Sequence, residues 1–160
     1  MAVGRKGELT VLAQALVQSR HPGAEEELEV RVEFRLRHQK ALEGMQYLAL
    51  IHEAALRIRV ADRNVAQKQL LQILERSELP QVIVRVVPFD VDGFAGVADQ
   101  LVYARGPVPQ LDTVMVDSQL GGAFLDAEAQ LARYRAVLRK VERVALGAVE
   151  SLELIQSSGR

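Results

Sequence analysis

The sequence has no cysteine and no tryptophan. Without cysteine, disulfides, thiolate catalysis and cysteine-ligated zinc are excluded, and a reducing cytoplasm is the expected location. Four Phe and three Tyr leave little aromatic surface for stacking on bases or sugars. No stretch approaches the ~20 apolar residues of a membrane-spanning helix. Met1–Gly7 lacks the apolar run of a secretory signal, so no membrane association is expected. Excess charge of one sign is also missing: 20 Lys and Arg stand against 21 Asp and Glu, for a net charge of −1. Binding along a phosphate backbone needs clustered, uncompensated cations, because the affinity comes from counterion release. The basic residues Arg31, Arg35, Arg37 and Lys40 are offset by Glu26, Glu27, Glu29, Glu33 and Glu43, which describes a solvated helix face. No nucleic acid is expected to bind this chain alone. His21, His38 and His52 fall at no metal-ligand spacing, there is no glycine-rich phosphate loop, and Ser77 and Ser118 lack a nucleophile elbow. Neither a metal nor a cofactor is therefore expected.

What remains is ordinary globular material, 49% apolar and 26% charged over 160 residues, enough for a single domain over 1–160 with 1–7 and 157–160 frayed. Leu9, Leu12, Ala13 and Leu16, at spacings of three and four, predict a helix over 8–19. His21-Pro22-Gly23 breaks it. A second helix is expected over 24–43, acidic in its first turn and basic in its last. Residues 46–52 read as a buried strand running into a helical turn at Glu53–Arg57. A helix follows from Asp62 to about Ser77, with Pro80 just beyond its end. The β-branched run at 81–87 is the clearest strand, closed by Pro88. A loop spans Asp90–Gly96, strands are expected over 98–104 and 111–117, and Gly121-Gly122 reads as a turn. A helix over 126–146, a break at Gly147 and a short last helix complete the chain. The fold class is α+β. It comprises a small, mostly antiparallel sheet of about four strands, with helices before, between and after it, packed mainly on one face. The strands near 46–52 and 81–87, joined through a helix, suit a parallel pair.

Several short segments in fixed order carry a resemblance: Glu53-Ala54-Ala55-Leu56-Arg57, the Val82-to-Phe89 strand with its Pro-Phe ending, Gly121-Gly122, the helix bearing Tyr134, and Ala145-Leu146-Gly147 with Glu150-Ser151. From about Leu9 to Ile155 the chain resembles the antitoxin-like carboxy-terminal domain of actinobacterial XRE-type helix-turn-helix regulators. The family's helix-turn-helix is not among the segments present. The resemblance implies a sensing or regulatory module whose partner is a small protein encoded nearby or a small-molecule ligand, with a homodimer as the expected assembly.

Two functional classes follow. In the first, the chain is a stand-alone, antitoxin-like protein-interaction module. In the second, it is a small-molecule binder or biosynthetic enzyme that uses an acid in an apolar pocket. The catalytic candidates for the second are Glu53, His52 and Asp117. Glu53 stands where a buried strand meets a helical turn, and desolvation there would suit it to general-base work. The alternative is that it pairs with Arg57 or Arg85 and stitches the fold. His52 is either a strand-end residue or a catalyst. Asp117 closes a strand that the family pattern places at the same sheet end, where two carboxylates sharing a site would split their pKa values. A ligand would be met by Arg57, Arg85, Phe89, Phe94, Tyr103 and Met115. Arg85, alone in an apolar strand, either reaches solvent or binds a carboxylate.

Overall fold

The computed structural model describes residues 8–13, 45–58, 63–92, 100–118 and 121–159. Among them, six strands form one sheet. These are β1 (Glu8–Ala13), β2 (Gln46–His52), β3 (Val82–Val87), β4 (Gln100–Arg105), β5 (Thr113–Ser118) and β6 (Gly121–Leu125), in the order β3-β2-β1-β4-β5-β6. The seams β3–β2 and β2–β1 are parallel, while β1–β4, β4–β5 and β5–β6 are antiparallel. Four α-helices accompany them: α1 (Glu53–Arg57), α2 (Arg63–Ser77), α3 (Glu128–Val144) and α4 (Ala148–Ser158). The fold is mixed α+β, and the parallel pair expected of residues 46–52 and 81–87 is the β2–β3 seam.

Three details differ from the sequence expectation. Residues 8–13 are a strand, not the start of a helix. Leu9, Leu12 and Ala13 fit a helical spacing, but Thr10 and Val11 also suit a pleated chain, and β1 gains backbone partners from β2 on one side and β4 on the other. The sheet has six strands rather than four because β1 joins its middle and Gly121–Leu125 adds an edge. Gly121-Gly122 lies inside β6, paired with Ser118 and Asp117 of β5, and is not merely a turn. Finally, the helices cover both faces. The expected helix over 24–43, with His21 and His38, lies outside the described residues.

Strand alternation explains the two-sided cover. On β2, Leu48 and Leu50 turn to one face, where they meet Val87, Leu101, Tyr103, Val114 and the α3 residues Leu131, Leu138 and Val141. Ala49 and Ile51 turn to the other face, with Val84, Val86, Leu70 of α2 and Ile155 of α4. Complete burial of a Leu50- or Ile51-sized side chain stabilises by about 1.5–3 kcal/mol. These two layers therefore hold β2 and β3 from both sides, as the near-continuous apolar run of each strand requires.

The outer edge of β3 is covered by the α3–α4 connection. Leu146 N–H donates to the Val86 carbonyl at 2.8 Å, and Val86 N–H donates to Ser151 Oγ at 2.9 Å. Ser151 is fully buried and donates in turn to the Gly147 carbonyl at 2.7 Å. A sheet edge that would otherwise present unpaired backbone groups is thus closed by one backbone amide and one serine.

Candidate functional site

The β2–α1 junction gathers the first group of candidate residues. The chain leaves β2 in extended conformation at His52, whose Nδ1 accepts from Ala54 N–H at 3.1 Å and so caps α1. Glu53 opens the helix and is 7% exposed. Its Oε1 accepts from Arg57 Nε at 2.6 Å, one turn on, and its Oε2 accepts from the Phe89 N–H at 2.9 Å. The Phe89 ring meets the His52 ring edge-on, with centroids 5.4 Å apart at 79°. His52, Glu53, Arg57 and Phe89 therefore form one cluster. In it, Glu53 ties α1 to the chain just after β3. Both oxygens of the carboxylate are thus engaged within the fold, one on a guanidinium and the other on a backbone amide.

Asp117 does not join that cluster. The pairs Ile51–Ala13, Leu12–Leu101 and Gln100–Asp117 put Glu53 and Asp117 at the same end of the sheet. Three strand spacings of ~4.8 Å nevertheless separate their backbones by about 14 Å. The expectation placed these two residues in one site; their backbones share a sheet end but stand three strands apart.

The expected ligand residues are likewise dispersed, which corrects the idea of one pocket. Arg85 faces the α3 side of β3, opposite Leu50. It does not pair with Glu53, and it is half-buried. Its Nε donates to the Leu146 carbonyl at 2.8 Å, and its Nη2 donates to the Glu142 and Ala145 carbonyls at 2.9 and 2.6 Å. It thereby caps the carboxy-terminal end of α3, where carbonyls lack intrahelical donors. Met115 lies on the opposite face to Val114 and pairs across the seam with Phe124, which is 68% exposed. Phe94 lies outside the described residues.

Tyr103 belongs to a third, buried polar cluster that the sequence reading did not single out. Its hydroxyl donates to Asp112 Oδ2 at 2.8 Å, and Gly106 N–H donates to Asp112 Oδ1 at 3.0 Å. Arg135 of α3 donates to the Tyr103 hydroxyl at 3.2 Å, lies 3.6 Å from Asp112 Oδ2 and also pairs with Glu128. Asp112 is 3% exposed, so its charge needs these partners. Burial pushes the Tyr103 phenol pKa above its ordinary 10.0, and the bond to Asp112 and that carboxylate's charge push it further. The signals were present in the sequence: Asp112 follows Pro107 and Pro109 in the connection after β4, and Arg135 stands next to Tyr134. Neither residue type alone announces burial.

Among the described residues, no group of three His, Cys, Asp or Glu side chains is arranged to hold a metal ion. Among the same residues, no helix is long and apolar enough to cross a membrane. The profile of one sequence family, described as a domain of unknown function (DUF5753), matches residues 12–157. No curated protein and no solved structure matches the chain.

Proposed function

The chain belongs to the DUF5753 family, and from that membership we propose that it is a regulatory, antitoxin-like module that acts by binding another protein, not by catalysis. On this reading it stands with the antitoxin-like carboxy-terminal domains of XRE-type regulators, works in the cytoplasm and takes a small protein encoded nearby as its partner. The observation that carries the reading is the state of Glu53. Both of its carboxylate oxygens accept from donors within the fold. The strongest acid–base candidate thus serves as a latch between α1 and the end of β3. Around that latch, Phe89 and Ile58 remain 57% and 41% exposed, the kind of apolar surface that a protein partner covers.

Co-expression of the tagged chain with the product of the neighbouring gene tests the proposal. Stoichiometric copurification that survives gel filtration is the expected result. Recovery of the chain alone, with the second protein soluble in the same lysate, contradicts it.

A further inference from the structure

A second surface lies away from the Glu53 latch, at the carboxy-terminal end of α3. There a shallow depression of about 330 Å³ is lined by Arg85, Arg139, Glu142 and Arg143. Three arginines and one glutamate thus line it, in a chain whose overall charge is −1. The negative end of the α3 dipole suits Arg143, in the last turn, and accounts for only part of the surplus. Arg85 already serves the carbonyls of Glu142, Ala145 and Leu146 through Nε and Nη2. Arg139 and Arg143 stand one turn apart on an exposed stretch, an arrangement of like charges that costs a helix a few tenths of a kcal/mol. The only hydrogen bond that either guanidinium makes among the described residues is from Arg143 Nε to the Arg139 carbonyl, at 3.2 Å. Neither forms an ion pair within that set. Arg85 is held fixed by three bonds, and its Nη1 donates to no acceptor among the described residues. One guanidinium held by three bonds and two arginines without an ion pair among the described residues therefore border the same hollow.

We infer that this depression is a docking surface for acidic side chains of a protein partner, read by Arg85, Arg139 and Arg143. The inference rests on the protein-binding function proposed above. Charge complementarity selects carboxylates, which guanidinium groups bind in a planar, bidentate manner. The shallow, open shape suits side chains projecting from another protein surface, since small-molecule sites enclose most of their ligand. Glu142 sets a limit on the site by repelling an anion placed directly over it, so the approaching carboxylates sit toward Arg139 and Arg143.

The test is titration of the full chain with a hexaglutamate peptide, followed by calorimetry or by amide chemical shifts. A Gly-Ser peptide of equal length and a short DNA duplex serve as parallel probes. Hexaglutamate is expected to bind in low salt, to weaken steeply toward ~0.5 M salt and to lose about tenfold in affinity in Arg139→Gln/Arg143→Gln. The Gly-Ser peptide is expected not to bind. Both substitutions are at exposed positions, and an unchanged Tm verifies that the variant folds. Binding that is indifferent to the two substitutions, no binding of hexaglutamate, or tighter binding of the duplex that the substitutions abolish would each overturn the inference. Recovery of the neighbouring gene's product without peptide binding removes this surface but leaves the proposed function standing. Peptide binding without that recovery supports the surface and removes the proposed partner.

Discussion

Asp112 makes the sharpest stability prediction. Its carboxylate is 3% exposed and accepts from the Tyr103 hydroxyl and the Gly106 amide, with Arg135 3.6 Å away. In Asp112→Ala the buried hydroxyl and the part-buried amide both lose their acceptor. Hydrogen bonds to a charged group contribute about 1.5–3 kcal/mol each. Arg135 is 25% exposed and keeps Glu128 as a partner, so its loss adds little. Because water can reach the part-buried amide, the expected destabilisation lies at the low end of the sum, about 3–4 kcal/mol, or roughly 10 °C in Tm for a domain of this size. Asp112→Asn keeps one acceptor oxygen in the same shape and should lose about half as much. Urea unfolding followed by circular dichroism measures both variants. An alanine variant within ~1 kcal/mol of wild type, or an asparagine variant as damaged as the alanine one, would refute the claim that this cluster fastens the β4–β5 connection to α3.

Further expectations follow from the same geometry. Burial, reinforced by Asp112, raises the Tyr103 pKa, and burial also raises that of Tyr47. Both phenols ionise more easily in the unfolded chain, so their contribution to stability is complete below pH 10.0, their ordinary value, and is lost as pH rises through the raised folded values. Tyr103→Phe should lower Tm at neutral pH and flatten its alkaline decline; a wild-type slope in a Tm-versus-pH series would contradict this. Ser151→Ala leaves the Val86 amide without its acceptor and should cost about 1–3 kcal/mol in urea unfolding, with faster hydrogen exchange at Val86. In Gly106→Ala the added Cβ would lie 2.7 Å from both the Leu111 Cβ and the Leu111 carbonyl oxygen, so the 106–112 turn must shift. The expected loss is about 1–3 kcal/mol; an unchanged Tm would show that the turn gives way freely.

Much of the architecture was legible because burial and periodicity agreed. The runs at 46–52 and 81–87 are apolar on both faces because both faces are covered, and α3 follows the stripe of Leu131, Leu138 and Val141. Local reading failed where a segment's state is set by its neighbours. The spacing of Leu9, Leu12 and Ala13 suits a helix, and only pairing with two distant strands makes Glu8–Ala13 a strand. Gly121-Gly122 looks like a turn until β5 supplies a partner for it. The site divides in the same way. The grouping of His52, Glu53 and Arg57 follows from adjacency at a strand–helix junction. The attachment of Arg85 to α3, and of Asp112 to Tyr103 and Arg135, depends on contacts across the fold that spacing does not encode.

The central claim is that Glu53 latches the fold while the work is done by partner binding. Its most direct test is Glu53→Gln, assayed for partner copurification well below its unfolding temperature and for Tm in parallel. The amide keeps an acceptor for Phe89 N–H but loses the ion pair with a half-exposed Arg57, so stability should fall by about 1–2 kcal/mol while partner recovery matches wild type. A variant with wild-type Tm that no longer retains the partner would contradict the account.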